Sequence, residues 1–239
     1  MRFGAPVFLL VSLVIAPTCL AADAHRYLKK AAAAYRHLKS LQVDATTERV
    51  HDIDGERSRI LVRVALYTSR PNKIRIHTKA PDNSARSVLM SDGEKVTEFH
   101  AWNKEYASSS ESRLEIAFSP ERGVGLGEMM YDRIADGVSR AVTRGRQTLQ
   151  LGADRVPCVV VDVEYKGSTA KFSFWIMEKQ SMVVQRAVTY SDGSVINTVV
   201  STVRALTANE VIPAAVFQFS PPDGAKQVSI SSWESGRDR

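Results

Sequence analysis

Five histidines, two cysteines and one close carboxylate pair are the residues of this 239-residue chain whose types could do chemistry. His25, His37, His51, His77 and His100 form no HxH or HExxH arrangement, so no metal-ligand spacing is present and scattered surface histidines are the better reading. Asp162 and Glu164 stand two apart on a candidate strand and so share a face. Acid–base work by such a pair is conceivable, but a solvated strand face is the better account. Gly123-Val-Gly-Leu-Gly127 superficially resembles a phosphate loop. It lacks the preceding apolar strand, the third glycine spacing and any GKS/T, which leaves a hinge. No GxSxG elbow exists for a serine hydrolase. Cys158 lies among Val156, Val159, Val160 and Val161, where a buried, inert thiol is expected rather than a reactive one among cations. The sequence predicts no enzyme, no metal and no cofactor.

The remaining chemistry is that of a container or a surface. Hydrophobic content of 44% and charged content of 24% suit a folded domain and argue against wholesale disorder. The net charge of +6 is spread along the chain, with no basic run longer than Lys29-Lys30. Nucleic acid is not an expected partner, whereas weak attraction to anionic lipid is compatible with this charge. Met1-Arg2, the apolar run Val7 to Ile15 and the small residues before Ala22 have the layout of a secretory signal. Residues 1–22 are therefore expected to be a signal peptide, cut after Ala21 or Ala22. Cys19 raises a lipoprotein signal, but Ala16-Pro17-Thr18 matches one poorly, so a soluble exported protein is preferred.

The elements follow from periodicity. Asp23 is placed to cap a helix to about Ser40, with Leu28, Ala31, Tyr35 and Leu38 as its apolar stripe. From Leu41 the period becomes two. Val43–Asp54, Glu56–Ser69, Lys73–Lys79, Arg86–Met90, Lys95–Ala101 and Glu105–Ser109 read as an up-and-down meander. Met129, Met130, Ile134 and Val138 fall at helical spacing, which predicts a helix from Gly125 to about Arg140. The meander resumes with Thr148–Leu151, Val156–Tyr165, Ala170–Met177, Met182–Tyr190 and Ser194–Leu206. Val216 to Phe219 reads as a last edge strand, stopped by Pro221-Pro222. Several later strands are apolar on both faces, which calls for cover on both sides or for a lined cavity.

The fold class is α+β: one strongly curved antiparallel sheet of about ten or eleven strands, with an N-terminal helix and a helical insertion on its concave side. Residues 23–228 form this domain, and residues 229–239 a flexible polar tail.

In this order and spacing, Tyr35 to Leu41, Arg70-Pro-Asn-Lys-Ile-Arg75, Ser91 to Lys95, Val156-Pro-Cys158, Phe174-Trp-Ile176 and Ala215 to Lys226 resemble the LolA-like superfamily. These are periplasmic lipoprotein- and lipid-binding proteins, and the chain is most similar to an uncharacterised family of predicted periplasmic proteins among them. The resemblance implies a half-barrel whose apolar pocket takes acyl chains. Candidate pocket residues in the first half are Val62, Val64, Leu66, Ile74, Ile76 and Phe99. Met129, Met130 and Ile134 would belong to a movable lid, and Phe172, Phe174 and Ile176 complete the lining. Carriers of this type tie down the lid with an arginine, a place that Arg59 or Arg63 would occupy. The implied partners are a lipid or lipidated protein and an inner- or outer-membrane protein, with a monomer favoured. Relatives also include regulators that bind an anti-sigma factor, so an envelope interaction or stress-sensing module without lipid cargo is the alternative.

Overall fold

The computed structural model describes residues 17–109, 131–192 and 195–229. Helix α1 (Pro17–Arg36) leads into β1 (Ser40–Ile53), β2 (Glu56–Ser69), β3 (Lys73–Lys79), β4 (Ala85–Ser91), β5 (Val96–His100) and β6 (Glu105–Ser109). The second half contains β7 (Val138–Leu151), β8 (Asp154–Tyr165), β9 (Lys171–Met177), β10 (Val183–Asp192) and β11 (Val195–Ala208). A 3-10 turn (Ala214–Phe217) and the two-residue β12 (Lys226–Gln227) follow. The strands form one open sheet in the order β12-β6-β5-β4-β3-β2-β1-β11-β10-β9-β8-β7. Every neighbouring pair is antiparallel except β12, which runs parallel to β6.

Tight turns make this meander possible. Between β1 and β2, Asp54 and Gly55 both take positive φ, 53° and 88°, the geometry that matches the twist of a two-residue hairpin. The Asp52 carboxylate accepts from the Gly55 amide at 3.1 Å and closes the turn.

Alternation sorts the residues onto two faces. On one face Val43, Leu66 and Ile76 stand in register across β1, β2 and β3, all buried. These residues share a single core with Ala24, Leu28, Ala31, Ala32 and Tyr35 of α1 and with Val161 and Phe174 of β8 and β9. We call this the inner face. Strands β3 and β8 are six places apart in the sheet, about 29 Å if it were flat. A helix with its side chains is only about 10–12 Å across, so the sheet must curl around α1 to bring both into one core. Register shifts at Asp44/Ala45, Thr78/Lys79, Val183/Gln185 and Thr143/Gly145 supply the bends.

Four expectations change. Helix α1 starts before Asp23, so Asp23 is not its cap; it lies within the helix, its carboxylate 3.0 Å from Arg26. The helix ends at Arg36, because Ser40 already belongs to β1. Of the helix expected over 125–140, residues 125–130 lie outside the described residues; 131–133 form one 3-10 turn, and Val138 opens β7. Strand β7 is accordingly much longer than Thr148–Leu151, and Gly145, at φ 152°, takes its bulge. Finally, Val216–Phe219 is not a strand. Pro213, with φ −55°, precedes a 3-10 turn in which the Val216 amide donates to the Pro213 carbonyl at 3.0 Å.

That turn begins a strap across the other, outer face. The Arg75 guanidinium donates to the Val216 carbonyl at 3.0 Å, and Phe217 is 2% exposed. Further along, Phe219 packs on Phe99 and Tyr106, with ring centroids 6.3 and 5.1 Å away, in a second core with Val88 and Met90. The strap ends in β12 against β6. The sheet is thus plugged inside by the chain's N-terminal helix and strapped outside by its C-terminal segment.

Candidate functional site

The inner face is apolar along most of its length because alternation leaves it no other choice. Val64 and Leu66 of β2, Ile74 and Ile76 of β3 and Phe174 and Ile176 of β9 are all buried in the core around α1, and Phe172 packs against it half-buried. Val62, the next inward position of β2, is half-buried opposite Thr47. The structure therefore brings together most of the sequence-predicted lining. Phe99 does not join it. Its cross-strand partner is Val88, itself opposite His77, which places Phe99 on the outer face beneath the strap.

What closes the inner face is an aromatic series. The Tyr35 ring of α1 meets Tyr131 edge-on at 5.1 Å, and Tyr131 meets Phe174 at 5.9 Å and 87°. Phe174 stacks on Phe172 at 6.1 Å, and Phe172 meets Tyr165 at 5.1 Å and 88°. Such edge-to-face contacts hold rings without hydrogen bonds. Polar ties are few: the Tyr165 hydroxyl donates to the Ile134 carbonyl at 2.8 Å, and Tyr35 bridges to Val183. Burial pushes the Tyr165 hydroxyl pKa well up; the charge of Arg186 opposes this and that of Asp136 adds to it. Tyr131 and Ile134 are each 4% exposed, so residues 131–134 sit as a wedge between α1 and β9. Met129 and Met130 lie outside the described residues.

The arginines fall differently from expectation. Arg59 and Arg63 stand opposite Val50 and Thr46, on the outer face, away from this wedge. Arg59 pairs with Glu48 at 2.6 Å, and Arg63 donates to Asn83 Oδ1 at 2.7 Å. The strict alternation that puts Ile60, Val62 and Val64 inward sends both arginines out. Besides Arg49 opposite Ile60, the inner face has instead Arg186, half-buried opposite Phe174 and near enough to influence Tyr165. Sequence reading missed it, although the signal exists: Val184, Arg186 and Val188 share one face of a strand otherwise apolar at those positions.

Asp162 and Glu164 also point outward, and both are engaged. Asp162 accepts two bonds from Arg144, at 2.9 and 2.7 Å, and one from Ser173 at 2.6 Å, while Glu164 meets Arg140 at 3.4 Å. This is a structural ion-pair cluster on the β7–β9 face. Cys158 is fully buried, and burial pushes its thiol up to about 11, with the Glu178 charge adding to the effect. Among the described residues no group of three or more His, Cys, Asp or Glu side chains is arranged to hold a metal ion.

A family described as predicted periplasmic protein (DUF2092) matches residues 24–231, from within α1 to just past β12. The chain belongs to the DUF2092 family. Among solved structures, this DUF2092 chain is similar to an uncharacterised conserved protein from Thermus thermophilus, with 11% identity and a TM-score of 0.49 over 87% of this chain and 99% of that one. It is also similar to MucB in the Pseudomonas aeruginosa MucA/MucB complex, with 12% identity and a TM-score of 0.42 over 83% and 61% of the two chains. A LolA superfamily protein from Nitrosomonas europaea aligns at 10% identity and a TM-score of 0.37 over 82% and 97%. No curated protein sequence matches the DUF2092 chain.

Proposed function

We propose that this protein is a non-enzymatic periplasmic binder of lipid or lipoprotein acyl chains, exported by residues 1–22. The observation that carries the reading is the inner face: a continuous apolar surface across β2, β3, β8 and β9, closed by α1 and the 131–134 wedge mainly through ring contacts. Elements held this way can part without breaking a backbone ladder. An acyl chain entering between wedge and sheet would gain about 0.8 kcal/mol per buried CH₂. Arg186, opposite Phe174, and Arg49, opposite Ile60, are the inward arginines that a headgroup would meet. Native mass spectrometry of gently purified protein, with fluorescent fatty-acid titration, tests the proposal. Neither co-purified lipid nor saturable, competable probe binding would sink it.

A second reading is a protein-docking module of the envelope. It is favoured by the far ends of the long hairpins, where Ile53, Ile60 and Ile196 are 50%, 42% and 45% exposed. Pull-down from envelope extract recovering one stoichiometric protein, with lipid absent from the complex, would decide for it.

A further inference from the structure

The outer face carries a polar basin that the acyl-binding reading does not use. Ala65 is its floor. On β2 it lies between Arg63 and Tyr67, and across the sheet it faces Asp44 and His77. A small residue among long ones leaves a depression of about 300 Å³, rimmed by Arg63, Lys79, His77, Tyr67, Gln42 and Thr207. Ala205 opens it further on the β11 side.

Three features of the rim point to an anion. Arg63 and Lys79 have no carboxylate within 4.0 Å among the described residues, whereas Arg57, Arg59, Arg140, Arg144 and Arg146 each pair with one. The Arg63 guanidinium is nevertheless fixed. It donates to Asn83 Oδ1 at 2.7 Å, and Asn83 is itself held in the 80–84 loop, its amide donating to the Ala80 carbonyl at 2.9 Å. Most of its N–H donors remain for a ligand. His77 Nε2 is buried without a hydrogen-bond partner, and an orphaned buried polar atom is costly unless something fills the place.

We infer that this basin is a binding site for a phosphate-class oxyanion, gripped between the Arg63 guanidinium, the Lys79 ammonium and the His77 imidazole. A tetrahedral phosphate presents acceptor oxygens on several sides, which matches donors arriving from β2 and β3. Asp44 is the one carboxylate at the rim; it is exposed and solvated, and it sets a preference against a second negative charge on the β1 side. The site lies on the face opposite α1, so it stands or falls independently of acyl binding. His77 reports on it. Burial, Lys79 and Arg75 hold its imidazole below the usual pKa, and a bound anion offsets those two cations. Phosphate should therefore raise the His77 pKa and cause proton uptake.

The test uses the full chain and inorganic phosphate, read from the His77 ring resonances by NMR at constant ionic strength. The expected result is a saturable shift and a raised His77 pKa, weakened about tenfold or more in Arg63→Gln and in Lys79→Gln. Arg59→Gln, on the same face outside the basin, should leave it unchanged. Flotation with phosphatidylglycerol and phosphatidylcholine vesicles identifies the source: capture lost in the same two variants assigns a lipid headgroup, and response to free phosphate alone assigns a soluble one. An equal shift with chloride, or a phosphate response retained in the Arg63→Gln Lys79→Gln double variant, would overturn the site.

Discussion

The hydroxyl of Tyr35 accepts a hydrogen bond from the Val183 amide at 3.3 Å and donates to the Val183 carbonyl at 3.4 Å. One side chain from the last turn of α1 thus serves both backbone groups of a residue beside the β10 bulge. Tyr35→Phe keeps the ring against Tyr131 and removes only the oxygen. It leaves a buried donor and acceptor unpaired, which costs about 1–3 kcal/mol. Urea unfolding should show a lower midpoint with the same slope.

The wedge makes a second prediction. Tyr131→Ala removes the ring that joins α1 to Phe174 and should cost about 3–5 kcal/mol in the same measurement. If the inner face takes acyl chains, the vacated space admits one more easily. Fluorescent fatty-acid titration of this variant should then give tighter binding than the parent protein, and weaker binding would count against the acyl proposal.

Alkaline pH should destabilise the fold through two buried acids. The folded state holds the Cys158 proton up to about pH 11, whereas the unfolded chain releases it near 9.0. A raised folded pKa means that the stability is intact below pH 9.0 and is lost as pH climbs toward 11, on the order of 2 kcal/mol in all. Tyr165, raised from 10.0, extends the loss upward. Urea midpoints followed from pH 7 upward should fall in this window, less so in Cys158→Ala and Tyr165→Phe. A thiol reagent at pH 8 should leave the native protein untouched and label it on unfolding.

The strap predicts a graded response. Phe217 is 2% exposed and Phe219 only half-buried, so Phe217→Ala should cost about 3–5 kcal/mol and Phe219→Ala distinctly less. Thermal unfolding of the two variants checks the order, and equal costs would refute the account of the outer core.

The strands whose residues alternate over a half-buried sheet were legible in the sequence. Ile74 and Ile76, or Val62 and Val64 against Arg59 and Arg63, declare their faces by period alone. Strand β7 was not, for a physical reason. It is an edge strand, and only Ala141 of its central residues is buried, so Ser139 to Gln147 carries almost no period-two signal. The strap misled in the opposite way. Val216, Phe217 and Phe219 look like a strand, but Pro213 followed by Ala214-Ala215 favours a helical turn, and Phe217 is buried and Phe219 half-buried by packing on the sheet rather than by joining it. Phe99 was named with the lining without any face being read for it, because its neighbours Thr97 and Ala101 are weakly polar and give no sense of direction. Nor could any local pattern show that His77, Arg63 and Lys79 converge on Ala65, because that meeting depends on the register between β2 and β3.

Strand order has a kinetic consequence. The two half-sheets, β1–β6 and β7–β11, are each built from local hairpins, yet among the described residues their strands pair with each other only along β1 and β11, where Thr47 meets Ser201 154 residues away. Hairpins zip on a scale of about 1–10 μs, whereas closing a connection of that length must be paid in chain entropy before any contact rewards it. Topology alone therefore predicts a late docking of two meanders, with helix α1 lacking complete cover until it happens. The interval before that seam closes, with both apolar inner faces open to other chains, is when this protein is most exposed to aggregation.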